Sequence, residues 1–296
     1  MDRTTVVPVI VWVGNSQGCT NPSNFLASSG SPEFSPMPAN GVTPSTLDVR
    51  KQVWNTREQA WQPLDITKNA NGWHLSRPGT WGIPTILAHY AVRRYGMVRI
   101  VNLCSPGSTI EWATGSLGHG TWDPDVPITQ TGGPTLLRHM ADAEINAAMA
   151  ATVAEGLAPR VVLTGMQLGE NDLARSATFA AKARSLIEWL RLHHRHGRIG
   201  REDPAPHVVV RLSRQNPGGT DAQMREIVAA QDSLLTDPGV VVMVGHDISS
   251  EDHRHEPEST AGPRQYPRTE RQHHGTHLTG PCLLRLALEI AGKLKW

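Results

Sequence analysis

Apolar residues along the chain form two kinds of pattern: short continuous runs and longer stretches with a helical period. The short runs predict strands. Five short runs are rich in β-branched residues and lack the 3.6-residue period of an amphipathic helix. Runs of this kind are typical of strands that are buried on both faces of a parallel sheet. The predicted strands are Val6–Val13, Val98–Leu103, Arg160–Thr164, His207–Leu212 and Val240–Val244.

The longer stretches have the period of a helix, and one of them precedes or follows each of these strands. Gly96 and Gly156 stand where two helices are expected to stop, while Thr220 and Gln223 form the pattern of a capping box at the start of another. The predicted helices are Trp81–Tyr95, Thr135–Glu155, Ala174–His196 and the residue ranges 220–235 and 279–293.

This alternation of strands and helices predicts an α/β fold with a five-stranded parallel sheet and helices on both faces. Right-handed crossovers favour the flavodoxin-like strand order 2-1-3-4-5. Without an internal repeat or a second alternation, a single domain over residues 1–296 is predicted. Residues 19–80 have no clear period, and Trp54, Trp61 and Trp73 favour an ordered loop over the edge of the sheet.

Composition narrows the class of protein. Apolar residues make up 39% and charged residues 19% of the chain, as in ordinary soluble globular proteins. The formal net charge of +1 gives no argument for a nucleic-acid or membrane partner. The apolar N-terminal run is short, contains Pro8 and lacks a small-residue cleavage site, so no signal peptide is predicted. A cytoplasmic location is the default expectation, a virion-associated one stays open, and an oligomer is compatible with the sequence.

Small polar clusters follow three of the strands and precede the last helix. Because parallel strands present their carboxyl ends at one edge of the sheet, these clusters are expected to meet there. They are Gly14–Gly18 (GNSQG), Pro106–Trp112 (PGSTIEW), Gly169–Asp172 (GEND) and His273–Leu278 (HHGTHL).

The clusters contain the parts that acyl transfer needs: a nucleophile, a base and donors for an oxyanion. Ser16 is the candidate nucleophile and His277 the candidate base. The backbone N–H groups of Ser16 and Gly107, with the Asn171 amide, are the candidate oxyanion hole. Each also has a plainer interpretation, since Ser16 can be a turn residue and Asn171 a helix cap. Asp172 is interpreted as a cap or a loop clamp.

The cysteines offer a weaker alternative nucleophile. Cys19 lies beside Ser16, whereas Cys104 and Cys282 lie in apolar segments and are expected in the core. Three widely separated cysteines argue against a disulfide framework and favour a reducing compartment or buried thiols.

In these four blocks the chain resembles the SGNH hydrolases, and within them the sialate O-acetylesterase-like and acetylxylan esterase carbohydrate esterases. Those families share a G-x-S-N/Q opening, a G-x-T/S-I-x-x-W segment and a Q-G-E-x-D block. The counterparts are Gly14–Gln17, Gly107–Trp112 and Gln167–Asp172, and the segment from Trp54 to Leu64 is also similar. The resemblance implies a three-layer α/β/α sandwich, removal of O-acetyl groups from a carbohydrate, no cofactor, and substrate contacts from Gln17, Gln167 and Trp112.

One position departs from the family pattern. The family places Asp three residues before the catalytic histidine, where it orients the imidazole, and here that residue is His274. A histidine does not supply the negative charge that stabilises an imidazolium. Three alternatives stay open: a Ser–His dyad assisted by a backbone carbonyl, weakened or lost activity, or a substitute acid. For the acid we favour Glu170 or Asp247 over Asp252.

Histidine clusters raise the alternative of a metal site. No cysteine or carboxylate pattern of recognised spacing accompanies them, so no metal is predicted. The candidate ligands are His253, His255, His273 and His274, whereas His193, His194 and His196 are interpreted as a solvated basic face at a helix end. The sequence therefore predicts a serine esterase that acts on an acetylated carbohydrate. The alternative is a binding or structural module, for example of a phage or surface assembly, that keeps the fold without turnover.

Overall fold

The computed structural model describes residues 5–14, 48–64, 83–105, 107–112, 120–126, 136–193, 205–212, 220–243 and 280–296. Within them, seven strands form one sheet. The strands are β1 (Val6–Gly14), β2 (Asp48–Asn55), β3 (Ala60–Leu64), β4 (Val98–Cys104), β5 (Ala158–Gln167), β6 (His207–Val210) and β7 (Val240–Met243). The α-helices in the same ranges are α1 (Ile83–Tyr95), α2 (Leu137–Ala154), α3 (Ser176–His193), α4 (Asp221–Asp232) and α5 (Gly280–Lys293).

The sheet order is β3-β2-β4-β1-β5-β6-β7. The five strands predicted from apolar runs lie in the order β4-β1-β5-β6-β7, and each of their neighbouring pairs is parallel. Numbered along the chain, that order is 2-1-3-4-5, so the predicted topology is confirmed. Strand β1 is the central strand of the sheet, with three strands on each side.

The predicted number of strands, five, is wrong because a hairpin extends the sheet by two. Strand β2 pairs in parallel with β4, and β3 pairs antiparallel with β2. Both lie within residues 19–80, which the sequence assigns to a loop. The apolar pattern of β2 is weak. Its buried hydrophobic residues are Val53 and Trp54, and their neighbours in the sequence are mostly polar. Two residues therefore gave too short an apolar run to predict a strand.

Two tryptophans fasten the hairpin to α2. Trp54 Nε1 donates to Glu144 Oε2 (2.8 Å), and Trp61 Nε1 donates to Thr152 Oγ1 (3.0 Å). The two indole rings meet edge to face with centroids 5.3 Å apart. Trp54 is 1% exposed. Both rings therefore stabilise the hairpin against the helix layer.

The two faces of β1 belong to two hydrophobic clusters, as a strand covered on both sides requires. Val9, Val11 and Val13 pack in a cluster with residues of α2, α3 and α4. Ile10 and Trp12 pack in the other cluster with residues of α1 and α5. The architecture is thus the predicted three-layer α/β/α sandwich.

Helix ends follow the predicted signals. Gly96 and Gly156 adopt left-handed backbone angles (φ +78° and +77°) just after α1 and α2. Thr220 Oγ1 accepts from Gln223 N (3.3 Å) and Thr220 N donates to Gln223 Oε1 (3.0 Å), so the capping box is confirmed. None of the helices within the described ranges is long and apolar enough to cross a membrane.

Trp12 occupies the space that a side chain on Gly165 of β5 would fill. A Cβ on Gly165 would lie 2.2 Å from the Trp12 ring, and Trp12 is fully buried. We expect Gly165→Ala to lower the free energy of unfolding by roughly 1–3 kcal/mol or more, because an overpacked core must shift a strand or a large ring. Urea or thermal unfolding measures this change.

Gly292→Ala in α5 is the matched control, since a Cβ there meets nothing within 4 Å. It should raise stability by about 0.5–1 kcal/mol, because alanine favours the helical backbone. Equal stability of the two variants would contradict the close contact at Gly165.

Candidate active site

Three neighbouring strands end level with one another. In the sheet, Gly14 of β1 is opposite Cys104 of β4 on one side and Gln167 of β5 on the other. The segments after these strands therefore begin at one edge, which is where open α/β sheets bind ligands. Ser16 follows Gly14 by two residues in the sequence.

The structure brings several predicted site residues to this edge. Glu170 and Asn171 follow β5, Gly107 and Trp112 follow β4, and Gln167 is the last residue of β5. All of these except Gln167 are half-buried. The other predicted residues lie outside the described ranges: Ser16, Gln17, Asp247, Asp252, His274 and His277.

Gly14 is required where it stands. Its φ is +153°, and a Cβ there would lie 2.5 Å from the Gln167 carbonyl oxygen. Only glycine meets both conditions without strain. The Gly14 carbonyl oxygen accepts two hydrogen bonds, from Ser105 N (2.9 Å) and from Ser108 Oγ (3.2 Å).

The segment 107–112 is held against residues 120–126. Gly107 opens it with φ +75°, a left-handed conformation that suits glycine. Trp122 N donates to the Thr109 carbonyl (2.8 Å), and Trp122 Nε1 donates to Ser108 Oγ (3.1 Å). Ser108 and Trp122 are fully buried.

The Asn171 amide touches the same segment. Asn171 Nδ2 donates to the Ser108 carbonyl oxygen at 3.0 Å. That oxygen can only accept, so the NH₂ end of the amide must face it. An amide nitrogen carries two N–H groups, and the second is directed away from Ser108. The 3₁₀ turn Leu173–Arg175 begins two residues later, so Asn171 is not its cap.

Asp172 is a clamp that joins the segment after β5 to the segment 107–112. Its Oδ1 accepts from Ile110 N (2.9 Å) and Glu111 N (3.3 Å). It makes no side-chain cap bond to the 3₁₀ turn that follows, so of the two sequence interpretations the clamp is confirmed and the cap is wrong.

The carboxyl of Asp172 lies in an unusual environment. It is fully buried, and among the described residues its Oδ2 has no hydrogen-bond partner. Burial raises the pKa of Asp172 to about 7, against the lowering effect of the Glu111 and Ile110 N–H groups and of Arg175. The nearby Glu170 carboxylate raises this pKa further.

A buried glutamine, Gln231, forms a hydrogen bond to the start of the loop that follows β5. Gln231 Nε2 donates to the Leu168 carbonyl (2.8 Å), and Leu212 N donates to Gln231 Oε1 (2.9 Å). Gly169, with φ +129°, passes so close that a Cβ would be 3.1 Å from Gln231 Nε2. The amide of Gln231 therefore joins the ends of β5 and β6.

The residues predicted to contact the substrate differ in their solvent exposure. Gln167 is 2% exposed, so its side chain lies within the sheet edge. Trp112 is half-buried, and its backbone N–H donates to Asp123 Oδ2 (3.0 Å). Lys182 Nζ in turn donates to Asp123 Oδ1 (2.6 Å) and forms an ion pair there.

Sequence reasoning missed Ser108, Asp123, Lys182 and Gln231. Ser108 lies inside a block that was singled out, and burial of its hydroxyl is what distinguishes it. Asp123 and Lys182 are 59 residues apart, and no periodic pattern connects them. Within the described ranges no group of His, Cys, Asp or Glu could hold a metal ion. Cys104 is a buried free thiol, as expected.

Solved structures share the α/β fold of this chain over nearly its whole length. NanS is similar at 12% identity and a TM-score of 0.58, covering 100% of this chain and 98% of NanS. A protein from Arabidopsis thaliana has 12% identity and a TM-score of 0.56, covering 97% of each chain. A carbohydrate acetylesterase from Xanthomonas citri has 15% identity and a TM-score of 0.51, covering 96% of this chain and 55% of that one. No family model matches the sequence, and the comparison with curated proteins finds no match.

Asp172 makes stability depend on pH. Its folded pKa of about 7 exceeds the ordinary value of 3.8, so the folded protein holds the proton more tightly than the unfolded chain. The stabilisation is complete below about pH 4 and is lost as the pH rises towards 7. In that interval we expect wild type to lose at most about 1.4 kcal/mol per pH unit relative to Asp172→Asn. Urea unfolding of both proteins at several pH values measures the difference.

The comparison cancels the opposite effect of His207, whose pKa is lowered to about 3 by burial and which both proteins contain. Asparagine keeps an oxygen for the Ile110 and Glu111 N–H groups but does not titrate. A constant stability difference across this interval would contradict a raised pKa at Asp172.

Proposed function

We propose that this protein is a serine esterase of the SGNH type that removes O-acetyl groups from a carbohydrate. The observation that carries the proposal is the contact between the segments after β4 and β5 at the edge where β1 ends. There the Asn171 amide lies 3.0 Å from the Ser108 carbonyl, one residue from Gly107, and Gly14 precedes Ser16 by two residues.

In the proposed mechanism Ser16 Oγ attacks the ester carbonyl carbon while His277 takes its proton. The oxyanion of the tetrahedral intermediate is stabilised by the N–H groups of Ser16 and Gly107 and by the Asn171 amide. The C–O bond to the sugar breaks, and His277 gives its proton to the departing hydroxyl. Water, activated by His277, then attacks the acyl-enzyme and releases acetate and free Ser16. This chemistry needs no cofactor.

Geometry supports the oxyanion role of the two donors in the described part of the chain. Gly107 is half-buried, and no acceptor among the described residues bonds its N–H. The Asn171 amide is fixed by one bond to a backbone oxygen, which leaves its other N–H to face a ligand. Donors that are already oriented stabilise developing charge without reorganising during the reaction.

For the acid that orients His277 we propose Glu170 or Asp247. Glu170 is half-buried and lies at the same edge, directly before Asn171. The carbohydrate preference rests on the sequence blocks and on the similar fold of the Xanthomonas citri carbohydrate acetylesterase. Trp54 and Trp61 do not add to it, since both indoles bond to α2. Trp112 stays the candidate for stacking on a sugar ring.

Ser16→Ala should remove the activity. We expect hydrolysis of p-nitrophenyl acetate and of an acetylated polysaccharide to fall by at least about a thousandfold, because the covalent step is lost. A fluorophosphonate probe should label wild type at Ser16, as located by peptide mass mapping, and should not label the variant.

Ser233→Ala is the control for this experiment. Its hydroxyl donates to the Ala230 carbonyl (2.7 Å) in the turn before β7, at the opposite edge of the sheet. It should keep the wild-type rate. If wild type and Ser16→Ala are equally slow on every ester, the esterase proposal is wrong. Binding of the acetylated polysaccharide without turnover would then favour a carbohydrate-binding module.

A second set of variants identifies the orienting acid. If Glu170 or Asp247 serves, then Glu170→Gln or Asp247→Asn should lower kcat by up to about ten-thousandfold, as loss of a triad carboxylate does. His274→Asp should then leave kcat unchanged or lower it. Steady-state kinetics on p-nitrophenyl acetate measures all three variants. A rise in kcat for His274→Asp, with no loss in the other two, would instead indicate that the enzyme works without a substitute acid.

A further inference from the structure

Ser108 has a fully buried hydroxyl whose hydrogen-bond directions can be assigned. Its Oγ lies 3.1 Å from Trp122 Nε1 and 3.2 Å from the Gly14 carbonyl oxygen. An indole N–H only donates and a carbonyl only accepts. The hydroxyl therefore accepts from Trp122 and directs its single proton at Gly14.

The hydrogen bond from Ser108 to the Gly14 carbonyl affects the direction in which the chain leaves β1. A glycine has no side chain to restrict its backbone, so neighbouring groups must set the direction in which the chain leaves β1. Two donors act on the Gly14 carbonyl: the backbone N–H of Ser105 and the hydroxyl of Ser108. Ser16 is two residues further on, and of these two donors only the hydroxyl belongs to a side chain.

The same residue also holds the Asn171 amide. The Ser108 carbonyl oxygen accepts from Asn171 Nδ2 at 3.0 Å. A single buried residue thus bonds, through its side chain, the strand end that leads to Ser16 and, through its backbone, the amide proposed for the oxyanion hole.

We propose that Ser108 is a positioning residue that couples the direction of the chain leading to Ser16 to the Asn171 amide. The inference rests on the proposed esterase function. Ser108 contacts no reacting atom in this mechanism. It acts by fixing the position of the end of β1, which leads to Ser16, relative to the Asn171 amide, and small errors in such distances affect kcat more than KM.

The test measures kcat and KM of Ser108→Ala on p-nitrophenyl acetate. Loss of the hydroxyl also removes an acceptor of the buried Trp122 N–H (3.1 Å), and this alone can destabilise the protein without any role in catalysis. The substitution is therefore made again in a Trp122→Phe background, where no indole N–H is left to satisfy. Thermal unfolding verifies that each variant is folded.

We expect Ser108→Ala to lower kcat by roughly 10- to 100-fold with KM changed by less than about twofold, and the same ratio in the Trp122→Phe background. Thr152→Val is the matched control, since it removes a buried hydroxyl that likewise accepts from an indole N–H, that of Trp61 at 3.0 Å, but lies in α2 outside the candidate site. It should change kcat by less than about twofold.

The inference alone is overturned by a wild-type kcat in folded Ser108→Ala, or by an equal loss of kcat in Thr152→Val, while Ser16→Ala is inactive. A loss of kcat that vanishes in the Trp122→Phe background would also overturn it, because the effect would then come from the lost hydrogen bond of the Trp122 indole. A wild-type rate in Ser16→Ala overturns the proposed function itself and this inference with it.

Discussion

The close approach of strands β1 and β5 is the constraint on which both the core and the candidate site depend. Trp12 of β1 fills the space over Gly165 of β5, and Gly14 of β1 passes next to the Gln167 carbonyl. A Cβ at either glycine would collide at 2.2 or 2.5 Å. Because both glycines lack that atom, the two strands stay paired from Ile10 to Gly14 and end at the same level.

Level strand ends bring polar loops into the interior, where each backbone group needs a partner. The loops do not pair with each other through a regular ladder, so side chains supply the partners. The carboxylate of Asp172 takes two N–H groups, the hydroxyl of Ser108 takes an indole N–H and serves a carbonyl, and the amide of Gln231 joins the ends of β5 and β6. The candidate site thus results from satisfying the buried hydrogen-bond groups of these loops.

Because the candidate site arises from buried hydrogen bonds between loops, only part of the structure could be predicted from the sequence. The parallel strands carry continuous β-branched runs, and chain handedness leaves few orders for them, so the order of the central five strands was predictable. The hairpin of β2 and β3 was not, because Trp54 and Trp61 are stabilised by Glu144 and Thr152, about 90 residues away in α2. Topology likewise predicted that Gly107 and Asn171 share an edge. It could not predict that Ser108 joins the Asn171 amide to the end of β1, since that depends on the depth to which one hydroxyl is buried.

Asp172 illustrates the relation between stability and organisation at this edge. An asparagine could accept the same two backbone N–H groups, but an ionised carboxylate forms stronger hydrogen bonds with them. Burial opposes that ionisation, and the pKa of about 7 reflects the balance between the two effects. The stabilisation that the protonated carboxyl provides is therefore lost as the pH rises towards 7, while its two hydrogen bonds hold the backbone of Ile110 and Glu111 in one place. Buried acids with a raised pKa are typical of functional sites, where position matters more than stability.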